Sequence, residues 1–166
     1  NNTMIGYSYN SFLISISGYV RQVSLTSETT DFNQYGISEL GLYSLGSNQY
    51  ANFGNVQSLN TISSGITIGA WIKSTSTNTY SAIVQKWYQS GMQGGFQLFV
   101  GPSNVLSFAL GDFIGGYTGL SSTTSVITGS WVYVTVTYDM NNVILYINGI
   151  MNKTANIPRT ILINGS

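Results

Sequence analysis

The chain has no histidine and no cysteine, only 2 prolines, and 6% charged residues in 166. Without those two residue types there are no disulfides, no thiolate chemistry, no Cys/His zinc site, and no Ser-His-Asp or Cys-His catalytic group. Five basic and five acidic residues cancel. That balance leaves no electrostatic footprint for nucleic acid or an anionic membrane surface. Long apolar runs are also missing. The richest stretch, residues 12–20, is interrupted by Ser15, Ser17 and Gly18, far short of the roughly 20 residues a spanning helix needs.

Uncharged polar groups take the place of charge. Ser, Thr, Asn and Gln abound, with 19 Gly and 12 Tyr. Intracellular proteins commonly stay soluble through Lys and Glu. A surface of hydroxyls and amides points instead to the cell exterior, or to subunits packed in a particle or filament. Three Asn-x-Ser/Thr triplets, at Asn1, Asn152 and Asn164, are candidate glycosylation acceptors. Hydrophobic residues at 43% are enough for one domain with a real core.

Helical periodicity is nearly absent, and β-branched and aromatic runs recur between Gly, Asn and Ser. Strands are predicted at 66–73, 81–86, 96–100, 105–110, 131–138, 143–148 and 160–163, with no helix. In Trp131–Tyr138 the valines 132, 134 and 136 share one face, while Trp131, Tyr133, Thr135 and Thr137 share the other. Residues 139–142 (Asp-Met-Asn-Asn) make a tight hairpin turn, and Asn148-Gly149 makes the next. The pattern predicts an all-β, two-sheet antiparallel sandwich or jelly roll.

Five segments carry a resemblance: LGSNQYANFG (45–54), ITIGAWIK (66–73), IVQKW (83–87), GGFQLFV (94–100), and the hairpin SWVYVTVTYD…VILYINGI. In order and spacing they resemble the laminin-G-like domains of the concanavalin A-like jelly-roll superfamily, over residues 42–166. The resemblance implies a binding or structural module outside the cell, not an enzyme. In that family a further strand follows the one matched by Leu162–Ser166. A segment of that character, Gly18–Leu25 preceded by Ser11–Ile14, stands here at the other end, which implies a circularly permuted order.

The chain is therefore read as residues 1–25, a strand segment; 26–40, a linker holding Glu28, Asp31 and Glu39; and 41–166, the jelly roll. The N-terminal strand completes its own sandwich or a neighbouring one. Its inward set would be Phe12, Ile14 and Ile16, with Gly18 as a bulge and Val20, Val23 and Leu25 beyond. Fifteen linker residues span up to about 50 Å when extended, so reach permits pairing within one chain. Pairing between copies would give a head-to-tail homopolymer. The expected function is an extracellular filament subunit joined by donated strands; the alternative is a monomeric carbohydrate-binding adhesion module.

Among candidate sites, Trp87 and Tyr88 lead into one Gly-rich stretch, while Phe113 and Tyr117 lie in another. Two uses are open for them: stacking on sugars or a partner, or capping the end of the core. Trp71 and Trp131 are expected in the core. Laminin-G-like domains bind calcium through an aspartate and backbone carbonyls, which makes Asp112 the calcium candidate. Asp139 is better explained as a turn residue. As a glycosidase pair, Asp112 and Asp139 lack any supporting motif. Gly94-Gly95 and Gly115-Gly116 are read as turns, and Arg21, Lys73, Lys86, Lys153 and Arg159 as scattered and solvated. No other cofactor is expected.

Overall fold

The computed structural model describes residues 11–15, 24–25, 42–43, 51–52, 57–60, 62, 64–75, 80–88, 94–112, 114 and 116–161. In chain order the elements are β1 (Ser11–Ser15), β2 (Ser24–Leu25), β3 (Leu42–Tyr43), β4 (Ala51–Asn52) and a single helical turn, α1 (Gln57–Asn60). There follow β5 (Ile66–Lys73), β6 (Ser81–Tyr88), β7 (Gly94–Val100), β8 (Val105–Asp112) and β9 (Tyr117–Ser125). The last three are β10 (Val132–Tyr138), β11 (Asn142–Ile147) and β12 (Ile150–Asn156). No helix among the described residues is long and apolar enough to cross a membrane.

Two main antiparallel sheets form. One has six strands in the order β12-β11-β10-β5-β1-β3, the other four in the order β6-β7-β8-β9; β2 and β4 make a separate short ladder. Alternation decides which side of each strand is buried. From the six-stranded sheet, Ile68, Ala70, Ile72, Val132, Val134, Val136 and Leu145 point into the core. From the four-stranded sheet, Phe96, Leu98, Leu106, Phe108 and Leu110 meet them. Truncating a buried ring such as Phe108, with 1% of its surface exposed, would cost about 3–5 kcal/mol.

The turns form as their residues require. Asp139 Oδ1 accepts the N–H groups of Asn141 (2.9 Å) and Asn142 (2.6 Å), closing the β10–β11 turn. Asn148 and Gly149 both have positive φ, 51° and 78°, the conformation that a two-residue hairpin turn demands.

Several elements differ from expectation. Strands β9 and β12 are present where no strand is predicted, because neither the Ser/Thr-rich β9 nor the Asn-, Lys- and Thr-bearing β12 carries a regular apolar alternation. β9 buries only Leu120 and Ser122. Thr160 and Ile161 are not in a strand; Ile161 is apolar because it closes the core. The pair Gly94-Gly95 lies within β7 instead of in a turn, and α1 supplies a helical turn where none is predicted. Trp71 and Trp131 point outward, with 45% and 43% of their surface exposed. The interior side of their strands is already filled by Ala70, Ile72 and Val132.

The N-terminal strand is supplied by the chain itself. β1 runs antiparallel between β5 and β3, with Phe12 opposite Ile72 and Ile14 opposite Ala70. Leu25 pairs with Ala51 in the small ladder. Ile16, Gly18, Val20, Val23 and the linker 26–40 lie outside the described residues. A tethered strand meets its own seat at an effective concentration on the order of millimolar, which a neighbour's strand must outcompete.

Candidate functional site

The outer face of the four-stranded sheet brings two of the four sequence-predicted aromatics, Trp87 and Tyr117, into one row. Register places Trp87 (β6) opposite Gly95 (β7), Gly95 opposite Gly111 (β8), and Gly111 opposite Tyr117 (β9). Three strand spacings separate the outer two residues, about 14 Å of backbone. Yet their rings meet edge to face, with centroids 6.5 Å apart and planes at 74°. They can lean together because the two positions between them have no side chain. Gly95 is obligatory twice over: its φ is +89°, and a Cβ there would run into the carbonyl oxygen of Lys86. Tyr117 remains 60% exposed, while Trp87 is half-buried.

A second row on the same face holds Gln85, Gln97, Ala109 and Gly119; a third holds Ala82, Phe99, Ser107 and Ser121. None of these positions is charged. The Ser107 and Ser121 hydroxyls are hydrogen-bonded at 2.9 Å. Of the remaining candidates, Tyr88 ends β6 opposite Gly94, and Phe113 lies outside the described residues.

Asp112 builds the turn that delivers Tyr117. Its Oδ1 accepts the N–H groups of Ile114 (3.0 Å) and Gly116 (2.8 Å), and its own N–H donates to the Gly116 carbonyl (3.1 Å). The Ile114 N–H is the largest influence and, with the Gly116 N–H and the Arg159 guanidinium, holds its carboxyl below its ordinary value against an opposing desolvation effect that ranks second. The Arg159 Nη1 lies 3.5 Å from Asp112 Oδ2, a charge pairing too long for a good hydrogen bond. These contacts do not fit a calcium ligand: two N–H donors occupy one oxygen and a cation faces the other. Among the described residues no group of three or more His, Cys, Asp or Glu comes together.

Asp139 is used by its turn in the same way, and its carboxyl is likewise held low, first by the Asn142 N–H. Both carboxylates are therefore committed to backbone geometry. Lys73 and Lys153 are exposed as expected and Arg21 lies outside the described residues, but two cations are not simply solvated. Arg159 faces Asp112, and Lys86 is half-buried opposite Phe96, where burial lowers its pKa. Tyr138 places its hydroxyl against the carbonyls of Ile157 and Arg159 and accepts the Arg159 N–H.

Asn152, one of the three acceptor triplets, sits on β12 and clasps β9 across the side of the sandwich. Its Oδ1 accepts the Thr123 N–H (2.8 Å), and its Nδ2 donates to Thr124 Oγ1 (3.0 Å). Asn1 and Asn164 lie outside the described residues.

Reading the sequence missed the glycine floor, the Gln97 row and Tyr80. The signal was present in the alternation of Phe96, Leu98 and Val100 with Gln97 and Phe99, which fixes what β7 presents to solvent. A second aromatic pair, Trp71 with Tyr133 (5.3 Å, 45°), lies on the outer face of the other sheet. Tyr133 extends over Gly69, where a Cβ would strike its hydroxyl.

A six-stranded and a four-stranded antiparallel sheet packed face to face define the jelly-roll class of sandwich. The chain belongs to the concanavalin A-like lectin/glucanases superfamily: a laminin-G family model carrying that description matches residues 45–166. Among solved structures, it is similar to the receptor binding domain of botulinum neurotoxin C/D mosaic serotype. The two are 22% identical with a TM-score of 0.61, over 92% of this chain and 38% of that one. The chain thus spans well under half of that structure. No curated protein matches the chain.

Proposed function

We propose that this chain is a non-catalytic adhesive module of the cell exterior that captures uncharged glycans on the Trp87–Tyr117 row. One observation carries the reading: two partly exposed rings meet over a glycine floor, on a sheet face with no charged side chain in its register rows. Aromatic faces stack on the C–H faces of sugars, and flanking amides and hydroxyls bond their OH groups. The two described carboxylates are occupied by turns, so neither serves as a free acid or base. A receptor-binding role for the similar neurotoxin domain is consistent with this fold serving as a binder. The test is an array of neutral glycans probed with the wild-type chain, Trp87→Ala and Tyr117→Ala, each variant first checked by melting. Binding that Trp87→Ala abolishes is the expected result. Binding by both variants as strong as that of the wild type, or none by the wild type, would overturn the reading.

A second reading keeps support from β1. That strand occupies an interior seat, laddered on both sides, and a neighbour's copy of residues 11–15 would make the same contacts. The resulting contact would be head to tail and non-closing, giving the filament. Rods in electron micrographs at high protein concentration would favour it. Monomers at every concentration would reject it.

A further inference from the structure

Resting on the glycan-binding reading above, we propose that the same face holds a second sugar subsite at Tyr80, so that the ligand is a linear, uncharged oligosaccharide and not a single sugar. Tyr80 is 70% exposed, immediately before β6, and its ring stacks on Phe99 with centroids 5.5 Å apart and planes at 21°. Phe99 belongs to the third row of the outer face, opposite Ser107. An exposed ring braced from behind by another is already fixed in orientation, so binding orders little that was not ordered before. This is the same provision that the first row makes by setting Trp87 against Tyr117.

The two platforms are separated along β7 by the interval from Gly95 to Phe99, four residues or about 13 Å at the rise of a strand. That interval exceeds one pyranose ring. The ground between them is low and polar: Ala109 and Gly119 raise no barrier, and Gln97 stands beside them with its amide. Ser121 is exposed at the far side of the third row. A chain of sugars laid along the strand direction would stack on a ring at each end and meet an amide in between. The lining names the class of occupant. With no charged position in any of the three rows, the face offers nothing to neutralise a uronic or sialic acid, whose desolvation would go uncompensated. A peptide adding a strand would dock along an edge of the sheet, β6 or β9, and would leave the three-row face between them uncovered.

The experiment is calorimetric titration of the full chain with cello-, malto- and manno-oligosaccharides of one to six units, beside a sialylated and a uronic-acid oligosaccharide. Affinity for one neutral series should rise with length and then level off. Tyr80→Ala should lower affinity about tenfold for the long members and leave the shortest unchanged, consistent with the loss of one stacked ring. Trp87→Ala should weaken every member. Because Tyr80 is mostly exposed, its variant should melt with the wild type, and that control is read first. Affinity independent of length, with Tyr80→Ala neutral, would overturn the second subsite and leave the Trp87–Tyr117 site standing. Preference for the anionic probes would overturn the neutral class. Failure of every probe to bind would remove the glycan reading itself.

Discussion

At the scale of single residues, Gly95 and Asp139 show how little freedom the backbone leaves. A side chain at 95 faces both a left-handed φ and the Lys86 carbonyl. Gly95→Ala should therefore cost about 2 kcal/mol or more in urea unfolding, with Trp87 displaced and glycan binding lost alongside. Asp139 is tested through acid. Its carboxyl is held below its ordinary 3.8, so the folded state binds the proton less readily than the unfolded chain. Stability from this group is present above that ordinary value and disappears as pH falls through the lower, folded one. Wild type should out-melt Asp139→Asn at neutral pH, and the gap should close in strong acid. The turn role of Asp139 was legible beforehand, since Asp-Met-Asn-Asn between two apolar alternating runs is turn chemistry. The outward setting of Trp71 and Trp131 was not. Each strand has large residues on both faces, and size alone does not reveal which face the opposing sheet will cover.

At the scale of elements, legibility followed burial. Strands β5, β7, β8 and β10 press an apolar face into the core and announce themselves by alternation. β9 and β12 do not. They are held by what lies beside them: β9 by its ladder with β8, and β12 by β11 and by the side chain of Asn152 reaching Thr123 and Thr124. Backbone ladders, and a side-chain contact that spans 29 residues, leave no apolar periodicity to read. The clasp has a measurable worth. Asn152→Ala should destabilise the chain by about 0.5–1 kcal/mol in urea titration, the net worth of an exposed hydrogen bond whose β9 donor water can then satisfy. Amide hydrogen exchange at Thr123 should quicken in the same variant. The candidate site was legible in part for the same reason. Trp87 and Tyr117 stand out by type, but their meeting depends on a four-strand register that only the folded sheet supplies.

At the scale of the whole molecule, the six-stranded sheet is closed only when residues 11–15 enter between β5 and β3. The jelly roll and its family were legible because five segments keep their order and spacing. The sequence also marked the front of the chain as a missing strand, and left open whose sheet it completes. A chain lacking residues 1–25 should lose its cooperative melting transition, because an interior seat then exposes the ladders of β5 and β3 on either side. Adding a synthetic peptide of residues 1–25 should restore that transition at a concentration that reports the affinity of strand for seat. If the shortened chain melted like the full one, the strand would be dispensable to the sheet.

The placement of the indoles has an optical consequence. All three tryptophans are at least partly open to solvent, while the core is built of aliphatic residues, phenylalanine and Tyr138. Emission excited at the red edge should thus be long in wavelength and open to acrylamide quenching even in the native state, a poor gauge of unfolding. The same placement makes Trp87 a built-in sensor: a sugar settling on its ring should shield it from quencher and shift its emission to the blue, with no label attached.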